Sequence, residues 1–230
     1  ALLEPITTDF DDSEQQENII NCDFCGTNID VFEVLKDKRN RCRSCSKNAV
    51  DTVDQFKEHL DDVIKKMELR YGISFTRNIG ADMVNASTLH ERMGESFIPS
   101  TSMDPRAVGF ATQRQDGLFI IVIENGFSAF QMRTTIAHEL THIWQFMVCK
   151  ESNITWPSDE VVEGQASYIE YDFLANVDME ISEAKRQSES RASQDDCYGI
   201  GLVKVSKLMV DKSEKEFFTE FKKQMQIGAI

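Results

Sequence analysis

Apolar residues recur at helical spacing in several stretches of this chain. Val53, Phe56, Leu60, Val63 and Met67 repeat every three or four positions, which predicts a helix over residues 50–70 that stops near Gly72. Ile136, Leu140, Ile143 and Met147 form a second stripe, and Ser128 with Gln131 makes a capping-box pattern ahead of it. Val162, Ala166, Ile169 and Phe173 form a third, with Ser158 as its N-cap. A short helix is predicted over residues 86–94, and residues 198–205 lead into a last helix carrying Phe217, Phe218 and Phe221. Residues 184–196 are polar and read as a surface helix or a mobile loop, while 96–106 and 150–158 read as loops. Strand signals are fewer. Residues 73–76 are strand-like, and residues 108–112 and 118–124 flank a turn at Asp116-Gly117. The second arm of that hairpin is almost continuously apolar, which predicts burial on both faces. The pattern is that of an α+β protein.

Composition narrows the class. The 230 residues suffice for one sizeable core, or a core with a small metal-stapled module. No apolar run approaches membrane-spanning length, so no membrane partner is expected. Residues 1–12 lack the basic start and apolar stretch of a signal peptide, so a cytoplasmic chain is expected. The chain does not begin with Met, which suggests trimming and leaves a lost targeting segment open. The net charge of −14 argues against a nucleic-acid partner and suits basic or extended peptides. The basic run from Lys36 to Arg41 reads as a solvated turn.

Cys22, Cys25, Cys42 and Cys45 form C-x2-C-x16-C-x2-C, the spacing of a structural four-thiolate zinc site. Gly26 suits the tight knuckle after Cys25. A pair of disulfides in a secreted protein is the alternative, and iron a rarer occupant. Cys149 and Cys197 stand apart and read as buried free thiols. Three segments follow: an acidic lead-in over 1–20, the four-cysteine module over 21–48, and a larger domain over 49–230.

The sharpest motif lies in the second helix. His138-Glu139-Leu140-Thr141-His142 is H-E-x-x-H, which stacks two imidazoles one turn apart on one helix face and sets Glu139 beside them as a base for water. Only four histidines occur, so the spacing is unlikely to arise by chance; His59 and His90 read as ordinary helix residues. No histidine follows His142, so the third ligand of an open metal site is expected to be a carboxylate. Asp159, Glu160, Glu163, Glu170 and Asp172 are available. Glu163 is the best placed, bordering the apolar stripe, with Gly164 allowing a close approach to the metal.

Residues 162–170, Val-Glu-Gly-Gln-Ala-Ser-Tyr-Ile-Glu, resemble the E-G-x-A-x-Y-x-E segment of gluzincin peptidases, whose first Glu is the third zinc ligand. The wider pattern is similar to the DA-one-like, LIM-associated zinc peptidases. It runs through residues 35–37, 41–45, 49–52, 92–94, 136–144, 162–164 and, more loosely, Tyr198-Gly199. The resemblance implies a thermolysin-like (zincin) core with an N-terminal LIM-like zinc module, and two Zn2+ ions, one catalytic and one structural. His138, His142 and Glu163 would hold the catalytic ion, Glu139 would act as general base on a zinc-activated water, and peptide bonds in proteins would be cleaved. Tyr198, in a Tyr-Gly turn, is the expected oxyanion donor, with Tyr168 and Tyr171 as rivals. The further LIM ligands and ubiquitin-interacting helices of plant members are not found in the sequence, so ubiquitin dependence does not carry over and a minimal homologue fits better. The competing reading is a catalytically silent, peptidase-like interaction module that docks partners through its cysteine module.

Overall fold

The computed structural model describes residues 20–30, 32–75, 79–97 and 108–227. All of the acidic lead-in but Ile20, and most of the loop expected over 96–106, lie outside them. Among the described residues the chain is mixed α/β and mostly helical. Strands β1 (Phe32–Val34) and β2 (Asn40–Cys42) form an antiparallel hairpin, followed by the short helix α1 (Arg43–Lys47) and the long α2 (Val53–Tyr71). Strand β3 (Ile79–Val84), helix α3 (Ala86–Met93), and strands β4 (Gly109–Gln113) and β5 (Phe119–Glu124) come next. The remainder is helical: α4 (Ala129–Ser152), α5 (Asp159–Asn176), α6 (Ile181–Ala192), α7 (Cys197–Met209), a 3-10 turn at Glu214–Glu216, and α8 (Phe217–Ile227). No helix among them is long and apolar enough to cross a membrane.

The predicted helices form where their apolar stripes can be buried together. Phe56, Leu60, Val63 and Met67 of α2 meet Ile136, Leu140, Ile143 and Met147 of α4, and Ile169 and Phe173 of α5 join the same core. Thr52 and Gln55 cap α2 reciprocally, Ser128 and Gln131 do the same for α4, and Gly72 ends α2 in the left-handed conformation. Aromatic residues of the C-terminal segment close the core, with Phe218 edge-on to Trp144 at 4.7 Å.

The sheet has the order β3-β5-β4, with β3 parallel and β4 antiparallel to the central β5. The expected hairpin is therefore β4–β5, and the apolar β5 is its buried arm. The strand-like residues 73–75 form no strand; the third strand is β3, whose Gly80 and Asp82 hide it from a propensity reading. Residues 150–152 extend α4 by most of a turn before Asn153 caps it, and residues 184–192 are helix.

The basic run is a solvated turn only in its first half: Lys36 and Lys38 are exposed on a turn, whereas Arg39 and Arg41 are 0% and 4% exposed, held inward by acidic partners. Arg39 donates to Asp37 at 2.8 Å and to Glu124, at the end of β5, at 2.6 Å. Arg41 bridges Glu33 and Asp51. These pairs, with Gln131 Nε2 donating to the Phe24 carbonyl at 3.3 Å, join the cysteine module to the sheet and to the start of α4.

Candidate metal centres

Among the described residues, two groups of side chains could hold a metal ion. In the first, Cys22 and Cys25 flank a knuckle turned by Gly26 at φ +69°, and Cys42 and Cys45 sit at the start of α1, with Cys42 as its N-cap. The Cys25 and Cys42 sulfurs are 3.9 Å apart, and all four lie within 4.8 Å of one another. Sulfurs around a tetrahedral ion at ~2.3 Å stand roughly 3.8 Å apart, so the donors fit a closed site. Backbone N–H groups support the sulfurs: that of Cys42 donates to Cys22 at 3.3 Å, and that of Cys45 to Cys42 at 3.4 Å. All four thiols are free in this structure.

The second group joins α4 to α5. The Nε2 atoms of His138 and His142 are 3.1 Å apart, and the Glu163 carboxylate oxygen lies 3.3 and 3.4 Å from them. Donors ~2.0–2.1 Å from a tetrahedral ion stand roughly 3.3 Å apart, which is the edge of this triangle. The remote nitrogens settle which lone pairs face inward. Gln145 spends its amide hydrogens on the Val162 carbonyl and Gln165, so its oxygen is what meets His142 Nδ1 at 2.8 Å. Glu170 accepts from His138 Nδ1 at 3.0 Å. Both Nδ1 atoms are thus N–H donors, leaving both Nε2 lone pairs turned toward a carboxylate. Three such atoms at that spacing need a positive charge among them, a metal ion or, without one, a proton on His138. Burial works against charge on His138, yet Glu163 and Glu170 outweigh it and lift its pKa to about 10; burial likewise opposes the Glu163 charge, but the two imidazoles hold its carboxyl below the ordinary range.

Glu139 is 5% exposed, and one of its oxygens is buried with no hydrogen-bond partner. Burial is the main cause that pushes its pKa above the usual carboxylate value, against the pull of His142 and His138. A carboxylate with one free oxygen next to the donor triangle is available to accept a proton.

The other carboxylates are engaged elsewhere. Asp172 takes Arg70 at 2.8 Å and the Tyr71 hydroxyl at 2.7 Å, Glu160 pairs with Lys204, and Asp159 is exposed. Glu170 belongs to the site, not as a donor in the triangle but as the acceptor that orients His138. Gln145 has the same task for His142 and was missed; its signal was the i+3 spacing that puts it on the histidine face.

Tyr198 lies in the first turn of α7 rather than in a Tyr-Gly turn, and Asp196 caps that helix through the Gly199 N–H at 2.8 Å. Its ring faces His138 at 6.4 Å between centroids, and burial, foremost, keeps the phenol protonated as a donor. Of its rivals, Tyr168 packs on Phe217 and Phe221 in the core, and Tyr171 lines a cleft beside Glu170. Gly164 does not bring α5 to the metal. A Cβ there would lie 2.5 Å from the backbone of Gly201, so the pair lets α5 and α7 touch backbone to backbone, drawing Tyr198 toward Glu163. Cys149 and Cys197 are half-buried and outside both groups.

No family model, curated protein or solved structure matches the chain.

Proposed function

We propose that this chain is a zinc-dependent endopeptidase of gluzincin type, with a thermolysin-like core and a structural zinc in its cysteine module, as its resemblance to the DA-one-like peptidases implies. The observation that carries the reading is the donor triangle of His138, His142 and Glu163 with a buried, unpartnered Glu139 beside it. Three protein donors leave room for reactants, as a catalytic site must, whereas four thiolates close the other site.

Zinc, when bound among those donors, supplies Lewis-acid polarisation. Glu139 accepts a proton from the attacking water as its oxygen adds to the scissile carbonyl carbon. Glu139 then delivers that proton to the amine as the carbon–nitrogen bond breaks. Its raised pKa makes it a stronger proton acceptor than an ordinary carboxylate. The Tyr198 hydroxyl donates to the developing oxyanion. Glu170 and Gln145 hold the imidazoles in register through their Nδ1 atoms.

The test compares peptide cleavage by native protein and Glu139→Gln, with bound zinc measured in both. The expected outcome is unchanged zinc with cleavage reduced by about a thousandfold or more, since the proton acceptor is lost and the ligands are kept. Full zinc loading with no cleavage of any peptide would replace this reading with that of an interaction module.

A further inference from the structure

A cleft of about 300 Å³ runs along the first half of α4, ahead of the metal donors. Thr134 and Thr135, one turn before His138, form part of its wall, as does Glu170, the acceptor of His138 Nδ1. The opposite wall is α6, which contributes Arg186 and Arg191. Arg186 is spoken for by Glu183 on its own helix. Arg191 differs. It is half-buried and forms no ion pair among the described residues.

Neutral groups fix the Arg191 guanidinium instead. It lies over the Tyr198 ring at 5.0 Å from the centroid and donates from Nη1 to Gln194 at 2.8 Å, with Tyr171 lining the same cleft. Five N–H donors are available to a guanidinium, and these contacts leave some of them unspent in the cleft. A planar fork held in advance and lacking a carboxylate is suited to take one in two-point fashion. Glu170 and Asp196 are the acids whose charge reaches it; neither forms an ion pair with it, and Glu170 already accepts from the His138 N–H. Arg191 is thus a cation without an ion-pair partner in a chain of net charge −14, suited to an acidic group at this point rather than to the basic or extended peptides expected from composition.

Resting on the peptidase reading, we propose that Arg191 is a specificity-determining residue that binds a substrate carboxylate within a few residues of the scissile bond. That carboxylate is an Asp or Glu side chain or the C-terminus of a short peptide.

The experiment uses the full zinc-loaded chain and quenched octapeptide pools fixed as Glu or Gln at single positions, each with free or amidated C-termini. Native protein is expected to cleave one Glu-fixed pool, or the free-carboxylate pools, about tenfold or more faster in kcat/KM. In Arg191→Gln that preference falls to about one through KM, while cleavage of the Gln-fixed amidated pools stays within about threefold. Arg191→Lys restores part of the preference. A merely structural Arg191 would lower every pool alike, and that result, or native protein without a preference, overturns the proposal. If no pool is cleaved, the peptidase reading fails. Fluorescence anisotropy of the same peptides on Glu139→Gln then decides the Arg191 assignment separately: tighter binding of carboxylate pools, lost on adding Arg191→Gln, supports it, and equal binding overturns it.

Discussion

His142 donates from Nδ1 because Gln145 has only an oxygen left to offer it, and His138 does so because Glu170 is an acceptor. The donor triangle thus depends on residues outside it. Replacing Glu170 by Gln keeps the shape but allows the amide to present hydrogens to His138 Nδ1, which favours the wrong tautomer. Metal affinity is expected to fall about 10–100-fold, read by competition with a chelator, while the unfolding midpoint hardly moves. An unchanged affinity would remove Glu170 from the site. At this scale the sequence was most informative where chemistry is local. H-E-x-x-H, the paired C-x2-C motifs and the choice of Glu163 needed only helix periodicity and ligand spacing. Glu170 was named for the wrong task, because its orientation toward Nδ1 depends on how α5 lies across α4.

Among elements, the α5–α7 contact positions the site. Gly164→Ala would push a methyl into the Gly201 backbone, where the nearest atoms are 2.5–2.7 Å from an ideal Cβ and cannot rotate away. The helices must separate, so a loss of about 1–3 kcal/mol in urea unfolding is expected, with activity falling as Tyr198 withdraws. A neutral substitution would mean that the contact is slack.

Arg133 of α4 ties Asp62 of α2 to Asp178 beyond α5, with the Asp178 contact at 2.7 Å. Burial opposes the Asp62 charge, but Lys66 and Arg133 outweigh it and lower its pKa. A carboxyl whose pKa is lower folded than unfolded stabilises the fold above its unfolded value of about 3.9, and that contribution fades as pH falls through the folded value. Denaturation midpoints taken between pH 5 and 2 should therefore drop less for Arg133→Met than for native protein. Parallel curves would show that the cluster is not linked to acid unfolding. Helices with capped ends and full stripes were legible in sequence; β3 was not, since its stability comes from parallel pairing with β5 some forty residues on rather than from its own residues.

For the whole molecule, the boundary expected near residue 48 separates two metal groups but not two independent bodies. Arg39 is buried between the module and the end of β5, Phe24 packs edge-on against Phe127 at 5.4 Å, and Val50 hydrogen-bonds to the Phe127 carbonyl. None of this was readable from the run of basic residues, because the partner of Arg39 lies 85 positions away. Charge composition alone suggested solvent, and a buried ion pair needs tertiary structure to be seen. The consequence is that the second metal group follows closely on the first, with α4 starting against the cysteine module and carrying the histidines roughly two and a half and three and a half turns later. Zinc per chain, measured by elemental analysis on native protein and on His142→Ala, tests the central claim most directly. The account predicts two ions falling to one, with the fold intact by circular dichroism; one ion in native protein, or two surviving in the variant, would contradict it.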